Sequence, residues 1–154
     1  MTPEQRLADR GHPLPPEPAP SSKPYLPLVQ IGQIVYGSGN TSMDRSNGHV
    51  YGGHVGDEVS LDDAREYARI AVLNALTALK VHLGELDRVD RLVRVTGYVN
   101  SAPTFTQQAD VINAASELLL EAFGEKGRHA RSAIGVAQLP GGAAVEIEII
   151  AMVR

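Results

Sequence analysis

Between Ser60 and Gly84 the apolar residues Ala64, Tyr67, Ala68, Ala71, Val72, Ala75, Leu76 and Leu79 recur every three or four positions. That spacing predicts a helix about 36 Å long at 1.5 Å per residue, with one face committed to packing. Ser60 and Asp63 form a candidate capping box, and Asp62, Asp63, Lys80 and His82 complement the helix dipole. A second stripe, Val111, Ile112, Ala115, Leu118, Leu119 and Phe123, predicts another helix that follows Pro103, is capped by Thr104 or Thr106 and stops at Gly124. Elsewhere the period shortens to two. From Arg91 to Ser101, Val93, Val95, Gly97 and Val99 alternate with Arg94, Thr96, Tyr98 and Asn100, the pattern of a half-buried strand. Val145, Ile147 and Ile149 alternate in the same way with Glu146 and Glu148. The segments LVQIGQIVYGSG and HVYGG, parted by SMDRSNG with its Asn47-Gly48 turn, predict a hairpin or meander over roughly 28–53. Strands over 132–139 and 143–153, joined by Pro140-Gly141-Gly142, predict a second hairpin.

The N-terminus follows a different rule. Thr2, Pro3 and Gln5 suit the start of a short helix ending at Gly11, and Pro13, Pro15, Pro16, Pro18 and Pro20 then favour an extended arm crossing a surface. We therefore divide the chain into an arm, residues 1–23, and one domain, residues 24–154. The order of three strands, a helix, a strand, a helix and two strands fits an α+β fold: a mostly antiparallel sheet with both helices on one face. A sheet face rich in β-branched and aromatic side chains must be covered, so self-association is expected on the other side.

Composition narrows the function. The 154 residues are 43% apolar with a formal charge of −4, and no apolar run approaches the ~18 residues of a membrane span. Zero cysteines exclude a disulfide framework, a thiolate metal site and a cysteine nucleophile. The start MTPEQRLADRG lacks the basic and apolar regions of a secretory signal, which places the expected compartment in the cytoplasm. With 18 acidic against 14 basic residues and no basic stripe, the chain does not resemble a nucleic-acid binder.

Arg131 and Glu146 are the pair that could carry chemistry. Across the expected 140–142 turn they would approach each other, the guanidinium offering a planar fork to a carboxylate and Glu146 holding a water or moving a proton. The same spacing also describes an exposed cross-strand ion pair of little consequence. Gly37-Ser38-Gly39-Asn40 has no following Lys-Ser/Thr and no adjacent helix, so it is read as a strand-end turn, not a phosphate loop. His49, His54 and Asp57 sit among turn residues and are assigned to loops, not to a metal site. His129 is either a loop histidine or a donor to a leaving amine, and Tyr25 is either a pocket lid or an anchor for the arm. Asn113, within the apolar stripe of the second helix, is expected to make a specific hydrogen bond.

Three ordered segments carry a family resemblance: KPYLPLVQIGQIVYGSGN, SAPTFTQQADVINAASELL and GRHARSAIGVAQLPGGAAVEIEIIA. From about Pro24 to Arg154 the chain resembles the RidA/YjgF family, in its longer bacterial branch with an N-terminal extension. The resemblance implies a chorismate-mutase-like fold assembled as a homotrimer, with sheets forming an inner barrel and clefts between subunits. It also implies a deaminase-type hydrolase of reactive 2-imino acids or enamines, releasing 2-keto acids and ammonia without a cofactor. The motif positions fall on Arg131 for the substrate carboxylate and Glu146 for the water, with Tyr25, Ser38, Gly39, Asn113 and Ala133 in the substrate-binding set. The chain departs from the pattern where Ala133 replaces a frequent cysteine, where Asn40 replaces glutamine, and in one inserted residue between Asn113 and Arg131. A non-catalytic trimer binding small carboxylates is the alternative; a ribonuclease or translation inhibitor is a third reading that the acidic balance disfavours.

Overall fold

The computed structural model describes all 154 residues. Thr2 caps the first helix, α1 (Pro3–Asp9), with a full capping box in which Thr2 and Gln5 exchange side-chain and backbone hydrogen bonds. At Ser60, the cap of α2 (Leu61–Leu83), only the Ser60 half of the expected box forms. An aspartate at this position lacks the extra methylene by which glutamate reaches back. The third helix, α3 (Gln108–Phe123), has no side-chain cap, contrary to the expectation for Thr104 or Thr106. Residues 101–106 are instead drawn into a turn, where Ala102 donates to Val55 O and Phe105 donates to Ala102 O.

The strands are β1 (Leu28–Ile31), β2 (Ile34–Gly37), β3 (Asn40–Thr41), β4 (Val89–Asn100), β5 (Ala130–Val136) and β6 (Val145–Val153). They form one sheet in the order β1-β2-β6-β4-β5, with β3 also on β6. All pairings are antiparallel except β4 with β5, where Val95 lies beside Arg131 and Tyr98 beside Ile134. The second expected hairpin therefore does not form. The β4-α3-β5 unit is a crossover connection, which lays β5 parallel on one edge of β4 and leaves the other edge to β6. Gly97 permits this: a Cβ there would stand 2.5 Å from Ile112 Cδ1, so the bare backbone lets α3 settle onto β4.

Both long helices cover one face of the sheet, and the core of 31 buried residues lies between. On β6, Val145, Ile147, Ile149, Ala151 and Val153 point into it. In β4 the alternation slips. Leu92 is fully buried and Val93 is 40% exposed, because register shifts at Val89/Arg91 and Leu92/Arg94 reverse the phase of the strand's first part. The N-terminal helix also joins the core, through the fully buried Leu7, and the Pro-rich segment after it crosses α2, where Thr77 Oγ1 donates to Pro15 O at 3.3 Å.

The opposite face carries no helix. Val29, Ile31, Tyr36 and Ile134 are 46–69% exposed and share that face with Ile150 and Met152. No helix is long and apolar enough to cross a membrane.

Candidate functional site

Arg131 enters at the start of β5 with its side chain turned to the helix layer. Its Nη1 donates to Asn113 Oδ1 at 2.8 Å and to Ser116 Oγ at 3.1 Å, both on α3. Residues 113 and 116 are three apart, hence on one helix face. No acidic side chain comes within salt-bridge distance of Arg131, and its Nε–Nη2 edge has no protein acceptor. A half-buried guanidinium held by neutral acceptors keeps its charge available to a ligand. Asn113, Ser116, Glu117, Leu120, Gly127, Arg128, His129 and Arg131 line a cleft of about 340 Å³. Ala133, two residues along β5 and on the same face, packs against the edge of the core.

His129 stands beside this arginine. Its Nδ1 is 2.7 Å from Gly127 O and its Nε2 3.0 Å from Ser116 Oγ. Burial pushes the imidazole pKa below the ordinary histidine value, partly offset by the Gly127 hydrogen bond, and the positive charge of Arg131 adds a lesser downward push.

Glu146 belongs to a different group. It lies on β6 beside Thr41 of β3 and Tyr98 of β4, on the uncovered face. A Cβ on Gly39 would stand 2.6 Å from Glu146 Oε1, so the glycine is what makes room for the carboxylate. Ser38 ties the 24–27 segment to this corner: its Oγ donates to Leu26 O at 2.6 Å and its N to Pro27 O at 2.8 Å, bringing Tyr25, 56% exposed, to the same end of the sheet. Asn40 fixes the turn, donating to Ser38 O while accepting from Arg45 Nη2 at 2.6 Å.

The two carboxylates of β6 differ in occupation. Tyr98 Oη donates to Glu148 Oε1 at 2.8 Å, and this bond, with burial, pushes the phenol pKa up to about 12. Glu146 receives no hydrogen bond from the protein. Burial and then the charge of Glu148 raise its pKa above the ordinary carboxylate value. It is the carboxylate left with lone pairs for a water or a ligand.

One chain thus holds two separate groups: Asn113, Arg131 and Ala133 on the helix side of the β5 edge, and Glu146 on the open side with Gly39 against it and Ser38 and Tyr25 at that end of the sheet. The expected approach of Arg131 to Glu146 is corrected, and so is the reading of the two as a cross-strand ion pair. β4 lies between their strands, and their side chains leave the sheet in opposite directions. Of the other residues considered from sequence, His49 packs edge-on against Tyr51, and His54 pairs with Glu58 at 3.5 Å. Ser116 was not singled out, although its three-residue spacing from Asn113 places both on one side of α3.

A family model described as "YjgF/chorismate mutase-like, putative endoribonuclease" matches residues 4–151. The chain belongs to the YjgF/RidA family. The match takes in both groups of residues and the N-terminal helix. Among family relatives, Protein TCP17 of Trypanosoma cruzi is 41% identical over 147 residues, covering 95% of this chain and 89% of the relative. Atu1372, a protein of unknown function from Agrobacterium tumefaciens, is 37% identical with a TM-score of 0.89 over 99% of this chain and 92% of its own. A Shewanella oneidensis MR-1 protein carrying the same endoribonuclease description is 31% identical, with a TM-score of 0.92 over 99% of this chain and 100% of its own.

Proposed function

We propose that this YjgF/RidA protein hydrolyses reactive 2-imino acids, or their enamine tautomers, to 2-keto acids and ammonia in a cleft completed between subunits of a homotrimer. The observation that carries the reading is the state of Arg131. It is half-buried, has no acidic partner, is held by Asn113 and Ser116, and offers its Nε–Nη2 edge to a small carboxylate at the mouth of a 340 Å³ cleft.

The chemistry accounts for the second group. A 2-imino acid carries its carboxylate beside an electrophilic C=N, so a carboxylate fixed on Arg131 presents the carbon to a water held by Glu146. Since one chain turns these residues to opposite faces, Glu146 must come from the partner subunit, with Tyr25, Ser38 and Gly39 around it. The exposed apolar positions Val29, Ile31, Tyr36 and Ile134 supply a surface for that association. The imine is already reactive, and orientation and proton handling are all the protein has to add. The endoribonuclease description attached to the family finds less support: the open face near the site carries Glu146 and Glu148, which would repel a phosphate backbone.

The test is ammonia and keto-acid release from imino acids generated in situ by an amino-acid oxidase. Wild type should accelerate release. Arg131→Ala should lower kcat/KM by about 10³-fold, the cost of losing a bidentate charge-assisted contact and the orientation it provides. Glu146→Gln should lower kcat by roughly 10²-fold with a smaller change in KM. If wild type matches the uncatalysed rate for small and bulky imines alike, while 2-keto acids still bind at Arg131, the protein is a carboxylate-binding module instead.

A further inference from the structure

We propose that Ser116 and His129 form the acid–base pair of the Arg131 cleft, a pair whose basicity rises when a ligand carboxylate neutralises Arg131. As a proton relay for imine hydrolysis, this inference rests on the function proposed above. The coupling to carboxylate binding does not.

Hydrogen-bond logic fixes the resting state. Gly127 O can only accept, so His129 Nδ1 carries the ring proton, and the 2.7 Å contact holds the imidazole in that tautomer. The lone pair is therefore on Nε2, 3.0 Å from Ser116 Oγ, and Ser116 must donate to it. Ser116 Oγ in turn accepts from Arg131 Nη1 at 3.1 Å. A hydroxyl, a base with its lone pair aimed at that hydroxyl, and a carbonyl orienting the base form a proton-transfer chain, and its hydroxyl end touches the residue that would bind substrate.

The charges around the ring set its response. From β5, Arg131 opposes an imidazolium; from the 124–128 turn, Arg128 is engaged by both oxygens of Glu125 and Lys126 lies between them in sequence; from α3, Glu117 pairs with Arg65 at 3.2 Å. Arg131 has no counter-ion and is the charge that reaches Ser116, the hydrogen-bond partner of the ring. A carboxylate bound there offsets the repulsion, so His129 becomes a stronger base when the cleft is occupied. By linkage, protonating His129 must tighten carboxylate binding by the same factor.

In turnover on an iminium substrate, water attacks C2 as the C=N π pair withdraws to nitrogen. One water proton passes to Ser116 Oγ while the Ser116 proton moves to His129 Nε2. The imidazolium then returns its proton through Ser116 to the carbinolamine nitrogen, the C–N bond breaks with its electron pair leaving on ammonia, and the hydroxyl proton passes to Glu146 of the partner subunit as C=O forms. One proton travels out and back along the same path.

Two measurements test the pair. For imine hydrolysis, His129→Gln and Ser116→Ala should each lower kcat by about 10²-fold with KM little changed, and His129→Gln should lose the fall in rate that wild type shows on acidification. For pyruvate binding, which needs no turnover, wild-type affinity should rise several-fold from pH 7.5 to 5.5, and the His129→Gln profile should be flat. Hydrolysis unchanged in rate and pH profile in His129→Gln overturns the relay and leaves the hydrolase reading intact. Absence of wild-type hydrolysis removes that reading, and the pair is then decided by pyruvate: pH-independent affinity overturns it, and a pH dependence abolished by His129→Gln sustains it.

Discussion

Glu146 and Glu148 stand two residues apart on one strand face, and they differ in their hydrogen-bond partners. Tyr98 satisfies Glu148, whereas Glu146 keeps a raised pKa and an unfilled coordination shell. The folded chain thus holds the Glu146 proton to higher pH than the unfolded chain does. As pH rises from the ordinary glutamate value through the raised folded value, folded Glu146 must ionise against burial and Glu148, so stability falls across that window and is level above it. Glu146→Gln removes this penalty: thermal unfolding at pH 7 should give a Tm higher by roughly a degree or two, with the acidic-side slope flattened, while turnover drops. A Tm lowered by the substitution would mean that the carboxylate has a structural donor. At this scale the sequence was informative where a residue type is unusual for its setting. Asn113 in an apolar stripe stands out in this way, whereas Arg131 and Glu146 are marked by their spacing about the Pro140-Gly141-Gly142 turn and by the family motif. Ser116 does not stand out, because a serine in a helix reads as part of a polar face until the arginine and histidine beside it are known.

Elements obey periodicity until a neighbour intervenes. The alternation of β6 survives unchanged, since it packs along its whole length against the core, whereas the stripe on α2 widens into burial on every side from Ala71 to Leu79, where Thr41, Met43 and Pro15 lie against Asn74 and Thr77. β4 keeps its pattern from Arg94 to Val99 and loses it before, where two register shifts expose Val93 and bury Leu92, a local kink that period-two reasoning cannot contain, and after, where Asn100 is buried and donates to Ala143 O. The Pro140-Gly141-Gly142 turn was legible as a turn but not as a crossing. Whether strands joined by a short link are neighbours depends on what else occupies the sheet, and here the crossover through α3 claims one edge of β4. Gly97 is the residue on which that crossover rests. Gly97→Ala places a methyl among the Ile112 side-chain atoms and should destabilise by about 1–3 kcal/mol through overpacking, read as a lower urea midpoint at unchanged m-value. Combined with Ile112→Ala, which empties the space, it should cost little beyond Ile112→Ala alone. Strictly additive losses would place the strain in the strand backbone and not in the seat of α3.

At the scale of the molecule, a single chain presents the Arg131 group and the Glu146 group on opposite faces of its sheet. The sequence pointed to an uncovered apolar face, but which residues meet across a subunit boundary is a property of the assembly and is not written in any one strand. If each cleft joins the Arg131 group of one subunit to the Glu146 group of the next, two inactive variants should rescue each other. Arg131→Ala retains a working Glu146 half, and Glu146→Gln retains a working Arg131 half. Unfolded together and refolded at equal concentration, they exchange at random in a cyclic trimer, and a cleft is intact when an Arg131-bearing subunit is followed by a Glu146-bearing one, which happens in about one cleft in four. Imine hydrolysis by the mixture should therefore recover to about a quarter of wild type, while each variant refolded alone stays inactive and sedimentation gives a trimer in every case. The Arg131→Ala, Glu146→Gln double variant mixed with wild type sets the control, because it contributes neither half. Mixtures no more active than their parts would confine both residues to the same chain's site, which the opposite directions of their side chains oppose, or would remove Glu146 from the reaction and leave Arg131 with the Ser116–His129 pair to carry it alone.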